Sequence, residues 1–159
     1  MNARPILTTL ARVLNEQGLE AVLIGNAAAA LQGAPVTTLD FDFLFRKTPR
    51  NLRKLKAVAK SLGAMVLKPY YPASDLLRVV RDEDSLQLDF MTTIHGVKSF
   101  ESLRSRAFRA DFGGHSLLVA DLADVVRSKR AAGRPRDKAV LEVLERTLSE
   151  KKEDKDGEA

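Results

Sequence analysis

Two aspartates, Asp40 and Asp42, stand two residues apart in a stretch otherwise made of leucine and phenylalanine. From Leu39 to Phe45 the residues alternate. Leu39, Phe41, Phe43 and Phe45 point one way, and Asp40, Asp42 and Leu44 the other. This pattern predicts a β-strand whose period of two sets both carboxylates on one face. Like charges that close repel unless something positive neutralises them. Mg²⁺ suits this task, because it takes hard oxygen ligands and keeps positions for water and phosphate. Mn²⁺ is an alternative with the same ligand preference. The competing reading is an amphipathic edge strand with a solvated acidic face. Asp is a poor strand former, which makes such a face costly.

Asp89 is a third candidate. It lies in Leu86-Gln87-Leu88-Asp89-Phe90-Met91, a second alternating strand with Leu86, Leu88 and Phe90 on the opposite face. If this strand neighbours the first, three carboxylates meet, and three can hold two metals. By itself, Asp89 reads better as a solvent-facing residue after an acidic turn. Gly25 and Asn26 offer a different part. Ala21-Val22-Leu23-Ile24 reads as a short buried strand that turns at Gly25 into a helix over Ala27 to Gln32. Free backbone N–H groups at such a turn suit phosphate. Asn26 also reads as an ordinary helix N-cap.

The remaining elements must position these groups. A first helix follows Pro5 and stops at Gly18. A second runs from Thr48 and Pro49 to Gly63, and Ala64 to Leu67 is a strand. Tyr70-Tyr71-Pro72 signals a loop. Leu76 to Val80 and Leu86 to Met91 flank Asp82 to Ser85 as a hairpin. Ser99 caps a short helix, and Gly113-Gly114 joins a second hairpin of Phe108 to Phe112 and Ser116 to Val119. Asp121 caps a helix ending near Gly133, and a last helix starts near Pro135. Helices mixed with strands and hairpins define an α/β (α+β) fold with a mixed sheet flanked by helices. Residues 1–148 read as a single domain, and the charged residues 149–159 as a disordered tail.

The ordered set Val22 to Ala28, Gly33, Thr37 to Asp42 and Asp89 resembles the polymerase-β-type nucleotidyltransferase superfamily. Within it, the chain looks most like small bacterial members related to abortive-infection toxins. Those carry a downstream helix like Asp121 to Arg130, followed by Gly133-Arg134-Pro135-Arg136-Asp137. The resemblance implies a nucleotidyltransferase-like fold with C-terminal helices. It implies that Asp40, Asp42 and Asp89 are catalytic and bind Mg²⁺, Asp89 also accepting or orienting an acceptor hydroxyl. Gly25 and Asn26 would hold the β- and γ-phosphates of a nucleoside triphosphate. Lys129 would contact the phosphates, and Asp137 would sit near the site or hold Lys129. The acceptor would be RNA, protein or a small molecule. The family's turn usually has Ser or Gly where this chain has Asn26. The following loop often has His and Arg where it has Gln32 and Val36. These departures admit a second reading, a degenerate binding module or one component of a toxin–antitoxin pair.

Composition narrows the remaining options. The chain has 159 residues, a net charge of +5 and no cysteine, which excludes disulfides and thiolate metal sites. A basic balance favours anionic partners. Of the dense cations from Arg104 to Arg136, the last five, Arg127, Lys129, Arg130, Arg134 and Arg136, could ring an anionic substrate or a tRNA-like acceptor, and a domain binding nucleic acid through the basic helices is a third reading. His95 and His115 have no second nitrogen ligand at metal spacing. The first residues lack the apolar core of a signal peptide, and no run is long enough to span a membrane. The expectation is a cytoplasmic protein.

Overall fold

The structure is a computed structural model and describes residues 4–38, 40–68 and 75–157. Leu39 and the Tyr70-Tyr71-Pro72 loop signal lie outside the described residues. The elements run α1 (Arg4–Gln17), β1 (Ala21–Ile24), α2 (Gly25–Ala30), β2 (Asp40–Phe45), α3 (Pro49–Ser61) and β3 (Met65–Leu67). They continue as β4 (Leu77–Arg81), β5 (Leu86–Met91), α4 (Phe100–Arg106), β6 (Phe108–Phe112), β7 (His115–Val119), α5 (Leu122–Ala132) and α6 (Pro135–Gly157). The strands form one seven-stranded sheet in the order β3-β4-β5-β2-β1-β7-β6. It is mixed: β2 is parallel to β5 and β1 to β7, and the other pairings are antiparallel. The mixed sheet with helices around it is the architecture expected from the sequence.

The helix ends follow their capping residues. The side chains of Thr48, Ser99 and Asp121 accept backbone N–H bonds from Asn51, Ser102 and Ala123, each satisfying one free donor of a first turn. Gly133 closes α5 in the left-handed conformation at φ 61°, which a side chain would strain. Asn26 differs from expectation. The α2 helix begins two residues earlier, at Gly25, with Ile24 in the capping position and no side-chain cap. Asn26 therefore lies inside the first turn rather than before it.

The central strands are pinned from below. Phe43 of β2 stacks on Phe90 of β5 with ring centroids 5.0 Å apart, and Phe45 meets Phe90 edge-on at 5.6 Å. These rings are fully buried, as are their neighbours Leu23 and Leu88. Burying each such ring contributes about 2–3 kcal/mol. Because Phe41, Phe43 and Phe45 take the buried face, alternation sends Asp40 and Asp42 to the other.

The charged segment from Ser149, expected to be disordered, is helical through Gly157. Lys and Glu are good helix formers, and propagation from an existing helix needs no new nucleus. The turns before it are held by buried Leu144 and partly buried Leu148. Lys151 is then tied down: its Nζ donates to Gln32 Oε1 at 2.9 Å and lies 5.8 Å from the Phe108 ring centre.

Gln32 is the knot of this region. Its amide nitrogen donates to the carbonyls of Ala28 and Ala120, both at 2.9 Å. Its amide oxygen also accepts the Leu122 backbone N–H at 2.8 Å. All the hydrogen-bonding capacity of the amide is thereby used. Gln32→Ala should cost about 2–3 kcal/mol, because it leaves partners on three elements unsatisfied. Urea unfolding measures this, and a loss below about 0.5 kcal/mol would show that the knot contributes little.

Candidate active site

The carboxylates are assembled by strand register. Asp42 of β2 is the direct partner of Asp89 on β5, and Asp40 is the partner of Gln87. On its other side Asp89 is paired with Arg78 of β4, and Asp42 with Ile24 of β1. Directly paired residues project to the same face. The result is a row across four strands, Arg78, Asp89, Asp42 and Ile24, with Asp40 and Gln87 beside it. Thr38 fixes the approach to β2: its hydroxyl donates to the Asp40 carbonyl at 2.6 Å and accepts the Asp40 N–H at 3.2 Å.

The three carboxylates differ in surroundings. Asp40 is exposed at the mouth, Asp42 half-buried, and Asp89 only 8% exposed. The Asp42 carboxyl is pushed up from its ordinary 3.8 to about 6. Burial is the main cause, followed by the charges of Asp89 and Asp40, while Lys129 and Arg136 pull the other way. Asp89 is held by cations and amides. Arg78 donates from Nε to Oδ1 at 2.8 Å and from Nη2 to Oδ2 at 3.3 Å, and the Gln87 amide adds a bond to Oδ2 at 3.3 Å. Among the described residues, no group of three or more carboxylates or imidazoles is gathered closely enough to hold a metal ion. The three aspartates thus share one face without converging, and Asp89 is engaged by Arg78.

The Gly25 turn lies against this row. Gly25 has φ +69°, and a Cβ there would stand 3.2 Å from Asp42 Oδ2. Both the conformation and the space call for glycine. The side-chain oxygen of Asn26 is buried with no hydrogen-bond partner, an unmet demand beside the carboxylate row. Lys129 on α5 and Asp137 on α6 come from the opposite end of the sequence. Lys129 Nζ is 3.7 Å from Asp137 Oδ1. Asp137 is buried, and it takes a shorter contact from Arg134 Nε at 2.6 Å. Burial lowers the Lys129 pKa, assisted by Arg134 and opposed by Asp137 and Asp42. Burial raises that of Asp137, but its bond and charge pairing with Arg134 and the charge of Lys129 outweigh this and lower it.

Several other cations of α4 and α5 are paired within the fold. Arg106 and Arg127 share buried Asp124, Arg130 pairs with Glu145, and Arg104 with Glu20. Of the residues expected to fill other roles, Gln32 ties elements together and Val36 packs against the core. Arg136, one of the cations expected to ring an anionic substrate, acts on Asp42, whereas the sequence does not single out Arg78. Arg78 had a signal, since the hairpin turn at Asp82 to Ser85 fixes which residue faces Asp89.

A half-buried carboxylate in surplus negative charge, an adjoining second carboxylate, a glycine turn and a lysine form a set suited to a divalent cation and phosphate. The fold and this set define a nucleotidyltransferase-type protein. The chain belongs to the family described as "Nucleotidyl transferase of unknown function (DUF2204)", whose model matches residues 3–156. Solved structures of the same fold include a candidate nucleotidyltransferase of Thermotoga maritima, with a TM-score of 0.63 and 19% identity, covering 92% of each chain. The antibiotic-resistance factor ANT(2″)-Ia matches with a TM-score of 0.62 and 14% identity, over 93% of this chain and 86% of its own. The lincosamide antibiotic adenylyltransferase LnuA matches with a TM-score of 0.58 and 9% identity, over 84% and 90%. No curated protein sequence matches. No helix among the described residues is long and apolar enough to cross a membrane.

The raised Asp42 pKa has a defined sign in stability. Between 3.8 and about 6 the folded chain holds a proton that the unfolded chain has lost, so stability falls as pH rises through that window. With a chelator present, Asp42→Asn should be more stable than wild type by about 2 kcal/mol near pH 7.5, the gap closing toward pH 4. Denaturant melts at both pH values test this; an Asn variant that is less stable near pH 7.5 would contradict it. Gly25→Ala should lose about 1–2 kcal/mol in the same assay, from the left-handed backbone and the contact with Asp42.

Proposed function

We propose that this chain is a Mg²⁺-dependent nucleotidyltransferase that moves a nucleoside monophosphate from a nucleoside triphosphate to a hydroxyl acceptor. The observation that carries this reading is the register of Asp42 with Asp89, with Gly25 packed against Asp42 Oδ2. Asp40 and Asp42 would hold the cation, which Mn²⁺ could replace, and Asp89 completes the carboxylate set. When bound, the cation supplies charge neutralisation at the phosphates. Backbone N–H groups at Gly25 and Asn26 would receive the β- and γ-phosphates, and Lys129 would neutralise them from the other side. Asp137, 3.7 Å from Lys129 Nζ, keeps that amine in place.

The acceptor hydroxyl attacks the α-phosphorus in line. A new P–O bond forms, the bond to the bridging oxygen breaks, and pyrophosphate leaves with the charge. Asp89 orients the hydroxyl and receives or passes on its proton. Such catalysis is mainly positioning and electrostatics. Candidate acceptors are RNA, protein and small hydroxylated molecules. The last class is favoured by the antibiotic adenylyltransferases among proteins of the same fold.

A second reading is a nucleotidyltransferase-like binding module without turnover, such as a toxin–antitoxin component of the abortive-infection type. The Arg78 fork on Asp89 and the replacement at Asn26 favour it. The two readings separate in one experiment. The protein is incubated with each labelled nucleoside triphosphate, Mg²⁺ or Mn²⁺, and total RNA, cell protein or a panel of aminoglycosides and lincosamides. Transfer reduced at least about 100-fold by Asp40→Asn or Asp42→Asn supports the enzyme. Metal-dependent nucleotide binding with no labelled product supports the module. Calorimetry showing no nucleotide binding with Mg²⁺ present sinks both.

A further inference from the structure

Arg78 has no part in the reaction outlined above, yet it forms a two-point ion pair with one of the three carboxylates of the site. It sits on β4 as the antiparallel partner of Asp89, so the contact spans one rung of the sheet. Its fork engages both carboxylate oxygens, at 2.8 and 3.3 Å, and the Gln87 amide takes a third position at 3.3 Å. An ionised carboxylate accepts about four hydrogen bonds. Three donors leave Asp89 with about one open lone-pair direction. The Asp89 side chain is 11% exposed and that of Arg78 35%, so the pair is screened on one side only. A planar guanidinium on a carboxylate is strongly held and keeps its charge at every working pH.

Three carboxylates can serve two divalent cations. In this chain one of the two positive charges is covalently built in. We propose that Arg78 stands in for a second divalent cation, so that the site takes a single Mg²⁺ between Asp40 and Asp42. Asp89 then contributes field and hydrogen bonding without being a metal ligand. The inference rests on the nucleotidyl-transfer reading and deepens it. It makes Arg78 a positioning residue that sets metal stoichiometry. It also accounts for three aspartates on one face that do not gather around a common point.

The test counts ions and needs no turnover. Mn²⁺ alone is titrated into the full chain, and bound ion is read from the loss of the free-Mn²⁺ paramagnetic resonance signal. Wild type is expected to bind about one Mn²⁺ per chain, and Arg78→Ala about two. Arg78→Gln keeps a neutral donor for Asp89, guards against misfolding of the alanine variant, and should also bind about two. Adding Asp89→Asn to either variant should return the count to about one, and Arg78→Lys should stay at about one. Two ions in wild type, or one in both folded neutral variants, would overturn the inference and leave the nucleotidyltransferase reading standing. No bound ion in any form would overturn both.

Discussion

Two like charges in register, Asp42 beside Asp89, are the constraint on which the rest of this structure turns. In an ordinary parallel pair of strands this arrangement is unfavourable, since directly opposed like charges destabilise a sheet. The fold tolerates it through unequal treatment of the two. Asp89 is given a guanidinium and an amide, and it is almost fully buried. Asp42 is given neither, and its carboxyl is pushed up to about 6. The charge left over sits at one place, against the Gly25 turn, with Lys129 and Arg136 acting on it from the C-terminal helices. A site that concentrates uncompensated negative charge beside a backbone turn is poised for a cation that brings its own anionic partner.

Holding that arrangement requires a register that cannot slip. The Phe43–Phe90 stack lies one residue along from the Asp42–Asp89 pair on the same two strands, and on the opposite face. A shift of one residue would place aromatic rings in the site and carboxylates in the core. The cost of either exchange is several kcal/mol per group. The core therefore sets the chemistry by exclusion. Phe41, Phe43 and Phe45 fill one face, and the positions left to the other are those of Asp40 and Asp42.

Much of this was legible in the sequence because it rests on local rules. Alternation marked β2 and β5, and turn residues marked both hairpins. Thr48, Ser99 and Asp121 were readable caps because a side-chain oxygen before a helical run has a local partner. What escaped was set by tertiary partners. Asn26 reads as a cap from its type, but the helix starts at Gly25 and leaves its oxygen unpaired. The charged end of the chain reads as disordered from composition, but Lys151 finds Gln32, 119 residues away. Arg78 was within reach. With the turn at Asp82 to Ser85, Arg81 pairs with Leu86, and counting back along the hairpin pairs Arg78 with Asp89.

Gln32 gives the departures around the Gly25 turn a physical meaning. A His or Arg at such a place could face a substrate, whereas this glutamine turns inward and engages Ala28, Ala120, Leu122 and Lys151. Ala28 belongs to the same short helix as Gly25 and Asn26. Ala120 and Leu122 lead into α5, which carries Lys129, and Lys151 belongs to α6, which begins beside Asp137. One amide thus joins the turn to both helices that bring the remaining charges. A helix of only six residues has little stability of its own, so the placement of Gly25 over Asp42 depends on this tether. The same side chain links the glycine turn to the helix that carries Lys129. The departure from the family pattern at this position therefore bears on the rigidity of the site rather than on its carboxylates, its turn or Lys129.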